Sequence, residues 1–283
     1  MKKILLTWSN GMLGTDFIKY FGNKFDIIAL DRGNGDITNM EIIESLIKNA
    51  NLDLILNFAA YTDVENAENT GRKDNFDVNT LWVYNLARLS AKYNIDFVTI
   101  STDYVFDGTQ ERWYNESDLP HPINNYGMAK YLWEILAKQE NPNSIIIRTS
   151  WLYGWWKDFK NFVNTMLRLS ETKMEVRVVN DQFWWPTYTV DLWKSIEEVL
   201  NNIENHRWKV LHLCNNTESN GISWFEFAEE IFKVAGIKTK ATPCSSSEFA
   251  TKVPRPRYSK LLWNDVKMRN REAWLAEYIK TVL

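Results

Sequence analysis

An apolar run leads into a glycine-containing turn near the start of this chain: Lys3-Ile4-Leu5-Leu6-Thr7-Trp8-Ser9-Asn10-Gly11-Met12-Leu13-Gly14. Residues 3–7 have the length and character of a buried strand. Phe17, Ile18 and Phe21 then follow with helical spacing. With glycine at position 8 the turn would read G-x-x-G-x-x-G. Such a turn between a strand and a helix lets backbone N–H groups approach a pyrophosphate at the helix N-terminus.

A second strand is predicted directly after the first helix and ends in an acidic residue. Asp31 lies 17 residues after Gly14, about where an acid binds the adenosine ribose in dinucleotide-binding folds. The alternative is that Asp31 is an ordinary turn residue at a strand end. The glycine turn upstream favours the ribose interpretation.

Strand-like and helix-like segments alternate through the first half of the chain. The strand candidates are residues 3–7, 26–30, 53–57, 95–101 and 144–149. The helix candidates are residues 11–21, 39–50, 75–93 and 126–139, with an N-cap region at Asp36-Ile37-Thr38. Alternation of this kind predicts a parallel sheet with right-handed crossovers. We therefore expect an α/β fold with a Rossmann-like doubly wound parallel sheet.

The pattern changes after residue 150. Short strands near 176–179 and 210–213 mix with helices near 159–170, 188–201, 223–235 and 270–282, and residues 243–260 are the most loop-like stretch. We expect a dinucleotide-binding domain at 1–150 and a smaller substrate lobe at 151–283. The second part should be interleaved with the first sheet.

One helix candidate carries a tyrosine and a lysine four residues apart, Tyr126 and Lys130, in the segment Tyr126-Gly127-Met128-Ala129-Lys130. This spacing places both side chains on one helix face. An ammonium beside a phenol lowers the phenol's pKa, so Tyr126 can deliver a proton to a carbonyl oxygen. Thr102, at the end of an apolar run, can hydrogen-bond the same oxygen. By itself the pair is weak, because a surface Tyr and a solvated Lys have the same spacing.

Composition excludes several classes of protein. The net charge is −3 without a basic stripe, so nucleic acid is not an expected partner. No apolar run reaches the 18 residues of a membrane span, and the start is too short for a signal peptide, so we expect a cytoplasmic enzyme. Two cysteines and three scattered histidines predict neither a disulfide framework nor a structural metal.

Several blocks together carry a resemblance to a known family. The chain resembles the dTDP-4-dehydrorhamnose reductases, which are extended short-chain dehydrogenases/reductases. The blocks S-T-D-Y-V-F-D-G at 101–108 and R-T-S-W-L-Y-G at 148–154 are specific, whereas Y-x-x-x-K is shared by the whole superfamily. Further matching segments are residues 57–68, 78–79, 180–183, 186–187 and 255–256.

The resemblance implies a reaction and its catalytic residues. A nicotinamide coenzyme, NADPH or NADH, would reduce the 4-keto group of a dTDP-4-keto sugar. Tyr126 would protonate the developing alkoxide, Lys130 would lower the Tyr126 pKa and bind the nicotinamide ribose, and Thr102 would hold the carbonyl oxygen. The coenzyme choice stays open, because Asp31 would repel a 2′-phosphate while Arg32 would attract one.

The resemblance also implies binding residues. Besides Tyr126 and Lys130, the coenzyme contacts would be Gly11, Met12, Leu13, Gly14, Asp31, Arg32, Asp36, Ile37, Ala59, Ala60, Tyr61 and Asn79. Contacts to a nucleotide-sugar substrate would be Thr62, Val64, Asp103, Tyr104, Trp151 and Arg255. Trp151 is either a platform for the ligand or core, and Arg255 is either a diphosphate ligand or a solvated charge. Some relatives bind Mg²⁺ at a dimer interface, near whose position Asp16 falls. The chain should be a monomer or a homodimer.

Two other functions stay open on the sequence. One is another nucleotide-sugar epimerase or dehydratase of the superfamily, although dehydratases usually carry an acidic residue where Tyr104 stands. The other is a non-enzymatic regulatory subunit of the methionine adenosyltransferase type, which the intact Thr102, Tyr126 and Lys130 set disfavours.

Tryptophan is found at many positions where the family pattern has glycine or another small residue. The chain has 14 Trp and 11 Gly, and a glycine share of about 3.9% is low against a usual value near 7%. Replacing the eleven by glycine gives 22 Gly, about 7.8%. Either UGA encodes glycine in this gene and was translated as tryptophan, or the tryptophans are real. The eleven positions are 8, 82, 113, 133, 155, 156, 184, 185, 193, 208 and 263.

Overall fold

The computed structural model describes residues 1–31, 33, 39–154, 159–215, 221–248, 253–262, 269 and 271–283. Within them a six-stranded parallel sheet has the order β10-β5-β4-β3-β1-β2. This confirms the predicted α/β class. The strands of the sheet are β1 (Lys3–Thr7), β2 (Asp26–Leu30), β3 (Leu54–Asn57), β4 (Asp96–Thr102), β5 (Ile145–Thr149) and β10 (Val210–His212).

Helices connect these strands close to the predicted bounds. In the first half they are α1 (Met12–Phe21), α2 (Met40–Ala50), α3 (Val64–Ala67), α4 (Arg72–Phe76), α5 (Val83–Lys92) and α6 (Asn125–Glu140). A π-helical segment, Asp77–Trp82, joins α4 to α5, so the helix predicted at 75–93 contains a change of winding. The N-cap of α2 is Asn39, which accepts from the backbone N–H of Glu41 and Ile42. The predicted N-cap region at 36–38 lies outside the described residues.

The central strands are apolar on both faces because helices cover both sides of the sheet. One core joins Ile4, Leu6 and Ile147 to the side chains of helix α8 (Thr189–Asn201). The other core lies on the opposite face and joins alternate residues of the same strands to α2, α5 and α6. The alternation along β1 therefore anchors the strand on both sides.

The chain reverses its direction of travel across the sheet at β1. From β1 it moves outward to β2, and it then returns to β3 on the other side of β1. Ligands of open α/β sheets bind at such a switch point, beyond the carboxyl ends of the strands. Here Thr7 Oγ1 donates to Asn57 Oδ1 at 2.7 Å and accepts from the backbone N–H of Ala59. The ends of β1 and β3 are thereby held together.

The second half contributes a smaller lobe and also returns to the first sheet. Its helices are α7 (Phe162–Ser170), α8, α9 (Ile203–His206), α10 (Trp224–Val234) and α11 (Arg271–Val282). Three short strand pairs join β6 (Leu152–Tyr153) with β9 (Thr187–Tyr188), β8 (Phe183–Trp184) with β11 (Ile222–Ser223), and β7 (Glu175–Val179) with β12 (Lys240–Cys244). Of these strands the sequence predicted β7, near residues 176–179. The stretch predicted as loop from 243 therefore begins inside β12. The boundary at residue 150 stays a prediction.

Eight of the eleven unexpected tryptophans lie in the described residues, and the other three, Trp155, Trp156 and Trp263, do not. Trp8 and Trp208 have φ values of 57° and 62°, in the left-handed region that favours glycine. Five more bury an indole N–H without a hydrogen-bond partner: Trp82, Trp133, Trp184, Trp185 and Trp193. Seven of the eight thus either strain the backbone or bury an unpaired donor, which costs about 1–3 kcal/mol each.

Candidate active site

The turn after β1 forms the first part of the site. The Gly11 N–H donates to the Trp8 carbonyl at 3.0 Å, and Gly11 is the N-cap of α1 without a side-chain cap. Met12 and Leu13 begin the helix. A Cβ on Gly14 would lie 2.5 Å from the Trp8 carbonyl oxygen, so position 14 requires glycine. The backbone therefore has the strand–turn–helix form that binds anions.

The Trp8 side chain lies against this turn. A Cβ on Gly11 would overlap the Trp8 ring at Cδ1 and lie 2.9 Å from Nε1. The indole packs against both cores of the sheet and is only partly exposed. In turns of this type the missing glycine side chain leaves room for the pyrophosphate. The indole of Trp8 occupies space beside Gly11 that the backbone alone would leave open.

Asp31 lies beside the same turn, at the end of β2. Its Oδ2 accepts from Ser9 Oγ at 3.4 Å, and its Oδ1 accepts from the Gly33 N–H at 2.7 Å. The structure thus brings together the glycine turn and the acid that the sequence predicts as a ribose ligand. Three further predicted coenzyme contacts, Arg32, Asp36 and Ile37, lie outside the described residues.

The loop after β3 reaches the site from the other side of the switch point. It contains Ala59, Ala60 and Tyr61, and Asn79 of the π-helical segment holds it. Asn79 Oδ1 accepts from the Tyr61 N–H at 3.0 Å, while Asn79 Nδ2 donates to the Tyr61 carbonyl at 2.8 Å and to Asn75 Oδ1. Asn79 is fully buried and its amide is saturated by these bonds. The contact that the structure shows for it is with the loop.

Thr102 and Tyr126 meet at the carboxyl end of β4. Asn124 caps α6 by accepting from the Gly127 N–H at 2.8 Å, and a Cβ on Gly127 would overlap the Tyr104 carbonyl. The missing side chain lets the start of α6 approach the turn after β4, which places Tyr126 beside Thr102, whose hydroxyl opposes the rise of the Tyr126 pKa that burial causes. Thr102 Oγ1 also accepts from the Tyr104 N–H at 3.2 Å.

Lys130 lies one turn further along α6, but its ammonium points to the strand. Lys130 Nζ donates to the Ile100 carbonyl at 2.8 Å, and burial lowers the pKa of Lys130 to about 7. The pKa of Tyr126 is raised by burial, with the Thr102 hydrogen bond opposing and the Asp103 charge adding to the rise. The predicted lowering of the Tyr126 pKa by Lys130 is therefore wrong, because the ammonium is bound to a carbonyl and half neutral near pH 7.

A buried network of charged and polar side chains joins β4, which ends in Thr102, to α6 and the neighbouring strands. Glu134 of α6 accepts from Arg148 of β5 at 2.6 Å and from Ser101 of β4 at 2.5 Å. Arg148 also lies 3.4 Å from His212 of β10. Burial and the Arg148 charge lower the pKa of His212 to about 3, so the imidazole stays neutral. The network joins three strands to α6 behind Thr102.

The predicted substrate residues fall in two groups. Thr62 and Val64 stand at the start of α3, next to Glu65. Glu65 Oε1 accepts from Arg255 Nη2 at 2.7 Å. Burial raises the pKa of Tyr104 to about 12, and the Arg255 charge opposes this rise; the Tyr104 ring lies 5.6 Å from that of Tyr126. Arg255 is thus paired with Glu65 rather than solvated, and its charge acts on Tyr104, the ring neighbour of Tyr126.

Trp151 belongs to the second group, in the smaller lobe. Its ring stacks on Trp184 at 3.9 Å and is in close contact with Trp224. The backbone of Trp151 is left-handed, with φ of 47°, and the side chain stays partly exposed. Packing in the aromatic cluster and partial exposure of the residue are thus both present, and the two interpretations of Trp151 stay open.

Comparisons with known proteins cover almost the whole chain. A family model described as the RmlD substrate binding domain matches residues 1–281. The chain belongs to this family. The spore coat polysaccharide biosynthesis protein SpsK of Bacillus subtilis is 36% identical over 92% of this chain and 89% of its own. A dTDP-4-dehydrorhamnose reductase of Aggregatibacter actinomycetemcomitans is 35% identical over 83% of this chain and 80% of its own.

A solved structure extends the likeness to three dimensions. The dTDP-4-dehydrorhamnose reductase of Bacillus anthracis, crystallised in complex with NADP, superposes with a TM-score of 0.91 at 34% identity, and each chain is covered completely. Strand order, the turn after β1 and the helix of Tyr126 therefore belong to a fold that is well represented in the RmlD family.

The sequence did not predict the hydrogen-bond partners of Asp103. Asp103 is buried, its Oδ1 accepts from Thr102 Oγ1 at 3.1 Å, and its Oδ2 accepts from Ser259 Oγ at 2.5 Å. Burial raises its pKa to about 7. Asp103 and Ser259 are 156 residues apart in the chain, so no spacing in the sequence signals the bond between them.

The described residues contain neither a cluster of metal-binding side chains nor a helix that could span a membrane. Among the described residues, no three His, Cys, Asp or Glu side chains gather as a metal site. Asp16 is buried and accepts from the Thr189 hydroxyl, and burial raises its pKa to about 6. No helix in the part of the chain that the structure describes is long and apolar enough to cross a membrane.

Proposed function

We propose that this chain reduces the 4-keto group of dTDP-4-dehydro-L-rhamnose to give dTDP-L-rhamnose, with NADPH as the reductant. The observation that carries the proposal is the placement of Tyr126 beside Thr102 at the carboxyl end of β4, with Lys130 one helical turn further along α6. Two similar proteins are named as reductases of this sugar, and one of them was crystallised with NADP. That coenzyme favours NADPH over NADH.

The residues of the turn fit a dinucleotide at every described position but one. Gly14 leaves no room for a Cβ, the first N–H groups of α1 have no side-chain cap, and Asp31 lies within reach of Ser9. These features suit a pyrophosphate and an adjoining ribose. The Trp8 indole against Gly11 is the exception. Gly11 to Gly14 and Ala59 to Tyr61 would hold the coenzyme, which supplies the hydride when it is bound.

Tyr126 is the proton donor in this reaction. Its pKa is raised by burial, so the phenol is neutral near pH 7 and carries the proton that a developing alkoxide needs. The hydroxyl of Thr102 lies beside it and can hydrogen-bond the same oxygen. Two hydroxyls that converge on one oxygen stabilise the charge that develops there.

Lys130 serves the site by charge rather than by contact with Tyr126. Its buried ammonium donates to the Ile100 carbonyl and keeps other donor hydrogens for a ribose hydroxyl. With a pKa of about 7, it is fully charged only below neutral pH. Its contribution to coenzyme binding should therefore weaken as the pH rises.

The nucleotide-sugar would lie between the start of α3 and the smaller lobe. We assign its contacts to Thr62, Val64, Tyr104, Trp151 and Arg255. Arg255 is the cation for the diphosphate, and Glu65 holds it in place. Trp151 is the platform for a sugar or base, since the residue stays partly exposed at the aromatic cluster.

The other functions considered for the sequence fit less well. Tyr104 stands where dehydratases usually have an acidic residue. A purely regulatory role leaves the pairing of Thr102 with Tyr126 without a purpose. A cytoplasmic location, the choice between monomer and homodimer and the boundary at residue 150 stay predictions.

Turnover with dTDP-4-dehydro-L-rhamnose and NADPH, followed by the loss of nicotinamide absorbance, tests the proposal. The assay compares the chain as printed with a form that has glycine at the eleven positions. dTDP-glucose and a UDP-sugar serve as control substrates. Reduction of the 4-keto sugar with dTDP-L-rhamnose as product is the expected result. If both forms fold and bind NADPH but leave the sugar unreduced, the proposal is wrong.

A further inference from the structure

Asp103 is a buried carboxyl group whose side-chain partners in the described residues are two hydroxyls. Only 2% of the residue is exposed, and no salt bridge to it is found in the described part of the chain. Its two oxygens accept from Thr102 Oγ1 at 3.1 Å and Ser259 Oγ at 2.5 Å. An isolated buried carboxylate is unfavourable, and burial accordingly raises the pKa of Asp103 to about 7.

The Thr102 hydroxyl has one hydrogen, and two acceptors compete for it: the Asp103 carboxylate and the substrate carbonyl oxygen. While Asp103 is ionised, its oxygens only accept, so Thr102 must turn its hydrogen to the carboxylate. Thr102 then accepts from the Tyr104 N–H. In that state Thr102 has no hydrogen left for a substrate oxygen.

Protonation of Asp103 reverses this arrangement. A protonated carboxyl can donate to Thr102 Oγ1 and still accept from Ser259 on its other oxygen. The Thr102 hydrogen is then free to point to the carbonyl oxygen that Tyr126 protonates. The direction of one hydroxyl therefore depends on one buried proton.

We propose that Asp103 is a positioning residue whose proton sets the direction of the Thr102 hydroxyl, so that Thr102 donates to the substrate carbonyl only while Asp103 is protonated. This inference rests on the proposed reduction. It also gives a purpose to the C-terminal segment at 253–262. Ser259 anchors that segment to Asp103, while the Tyr258 N–H donates to the Gly108 carbonyl at 3.1 Å.

Other titratable groups around Asp103 keep their charge state near pH 7. Tyr104 on the same turn and Tyr126 on α6 have raised pKa values, to about 12 for Tyr104. The pKa of Cys214, after β10, is raised by burial and by Asp103. Beyond Tyr104, Arg255 is paired with Glu65. Lys130 is the neighbour that also titrates near pH 7, so the test must separate it from Asp103.

The test uses Asp103→Asn in whichever form turns over, the chain as printed or the form with glycine at the eleven positions. The asparagine amide donates permanently to Thr102 and accepts from Ser259, as the protonated acid would. In the parent, kcat should fall as the pH rises from 6 to 9. In the variant this fall should shrink, so that the ratio of variant to parent kcat rises about tenfold or more over the interval. The remaining fall belongs to Lys130.

Two further variants control the interpretation. Ser259→Ala removes a donor that favours the carboxylate, so the decline of kcat should move to higher pH by about half a unit or more. Thr102→Val removes the hydroxyl, and in that background Asp103→Asn should leave the pH profile unchanged. Ser259→Thr keeps the donor and should restore the parent profile.

A second readout does not depend on turnover. The infrared carbonyl band of a protonated carboxyl, absent in Asp103→Asn, should titrate near pH 7 in the free protein. A parent that never reduces the sugar would refute the proposed function, whereas this band would still report on Asp103. A pH profile identical in Asp103→Asn and the parent, or a folded, NADPH-binding variant that is inactive at all pH values, would overturn the positioning role.

Discussion

The coenzyme turn at 8–14 and the catalytic cluster around Thr102 and Tyr126 lie at the same edge of one sheet, but they depend on the sequence differently. In the catalytic cluster, side chains perform the chemistry, and each predicted side chain is present. In the turn, backbone N–H groups would bind the coenzyme, and Trp8 lies within this turn with φ of 57°. The difference shows that the unexpected tryptophans affect positions where the fold needs no side chain.

The same contrast holds away from the site. Asn51 and Asn94 adopt left-handed φ values of 51° and 52°, and asparagine tolerates that region well. Trp208 adopts φ of 62° with a far bulkier side chain. Trp151, which belongs to the family block at 148–154, also has a left-handed φ of 47°, so this φ alone does not identify a recoded glycine. At Trp208 the argument for glycine is that a Cβ strains the backbone there.

The largest expected effect concerns the catalytic cluster. Tyr126→Phe removes the proton donor and leaves the ring contact with Tyr104 intact. Turnover should fall by about two to four orders of magnitude while NADPH binding stays nearly unchanged. Steady-state kinetics and a binding titration check both. Near-normal turnover in the variant would remove Tyr126 from the mechanism.

The next effect concerns the turn. Glycine at all eleven positions should produce a soluble protein whose Kd for NADPH is about 100-fold lower or better than that of the printed chain, because the indole at position 8 no longer lies against Gly11. Calorimetric titration measures the gain. Alanine at position 8, with glycine at the other ten, is the matched control and should bind with intermediate affinity.

Mass spectrometry of the protein from its source decides the same question directly. Peptides that cover positions 8 and 184–185 should have glycine masses if UGA encodes glycine in this gene. Indole masses there would refute recoding, and the turn would then have to bind its ligand around Trp8.

The comparison also explains what the sequence could predict. Apolar strands such as 3–7 and 145–149 and the caps of long helices follow from local pattern, so the sheet and most helix bounds were predicted to within a few residues. Two-residue strands such as Phe183–Trp184 have no periodicity to detect. The bond from Lys130 to the Ile100 carbonyl and the bond from Ser259 to Asp103 depend on packing between distant segments, and no spacing in the chain announces them.

Lys130 tests whether the catalytic cluster and the turn are coupled through the coenzyme. Lys130→Met should weaken NADPH binding by about tenfold and lower kcat/KM with it, because the charged donor proposed for the coenzyme ribose is lost. Because the pKa of Lys130 is lowered to about 7, the parent loses this charge as the pH rises. The ratio of parent to variant kcat/KM should therefore fall between pH 6 and 9. A constant ratio would contradict a charged role for Lys130.

The smallest expected effect is on stability alone, at a left-handed position far from the proposed ligand site. Trp208 lies between α9 and β10, at the amino end of its strand and thus at the edge of the sheet opposite the site, and 61% of the residue is exposed. A left-handed φ costs a residue with a Cβ about 1–2 kcal/mol, while glycine loses about 0.5–1 kcal/mol in additional chain entropy.

Made alone in the printed chain, Trp208→Gly should raise the free energy of unfolding by about 0.5–1 kcal/mol in urea titrations. Trp208→Asn should gain less, as the asparagines at 51 and 94 suggest, and Trp208→Ala should gain nothing because it keeps the Cβ. An alanine variant as stable as the glycine variant would mean that loss of the exposed indole, not relief of the backbone, explains the gain, and the contrast between side-chain and backbone positions would then fail at its simplest site.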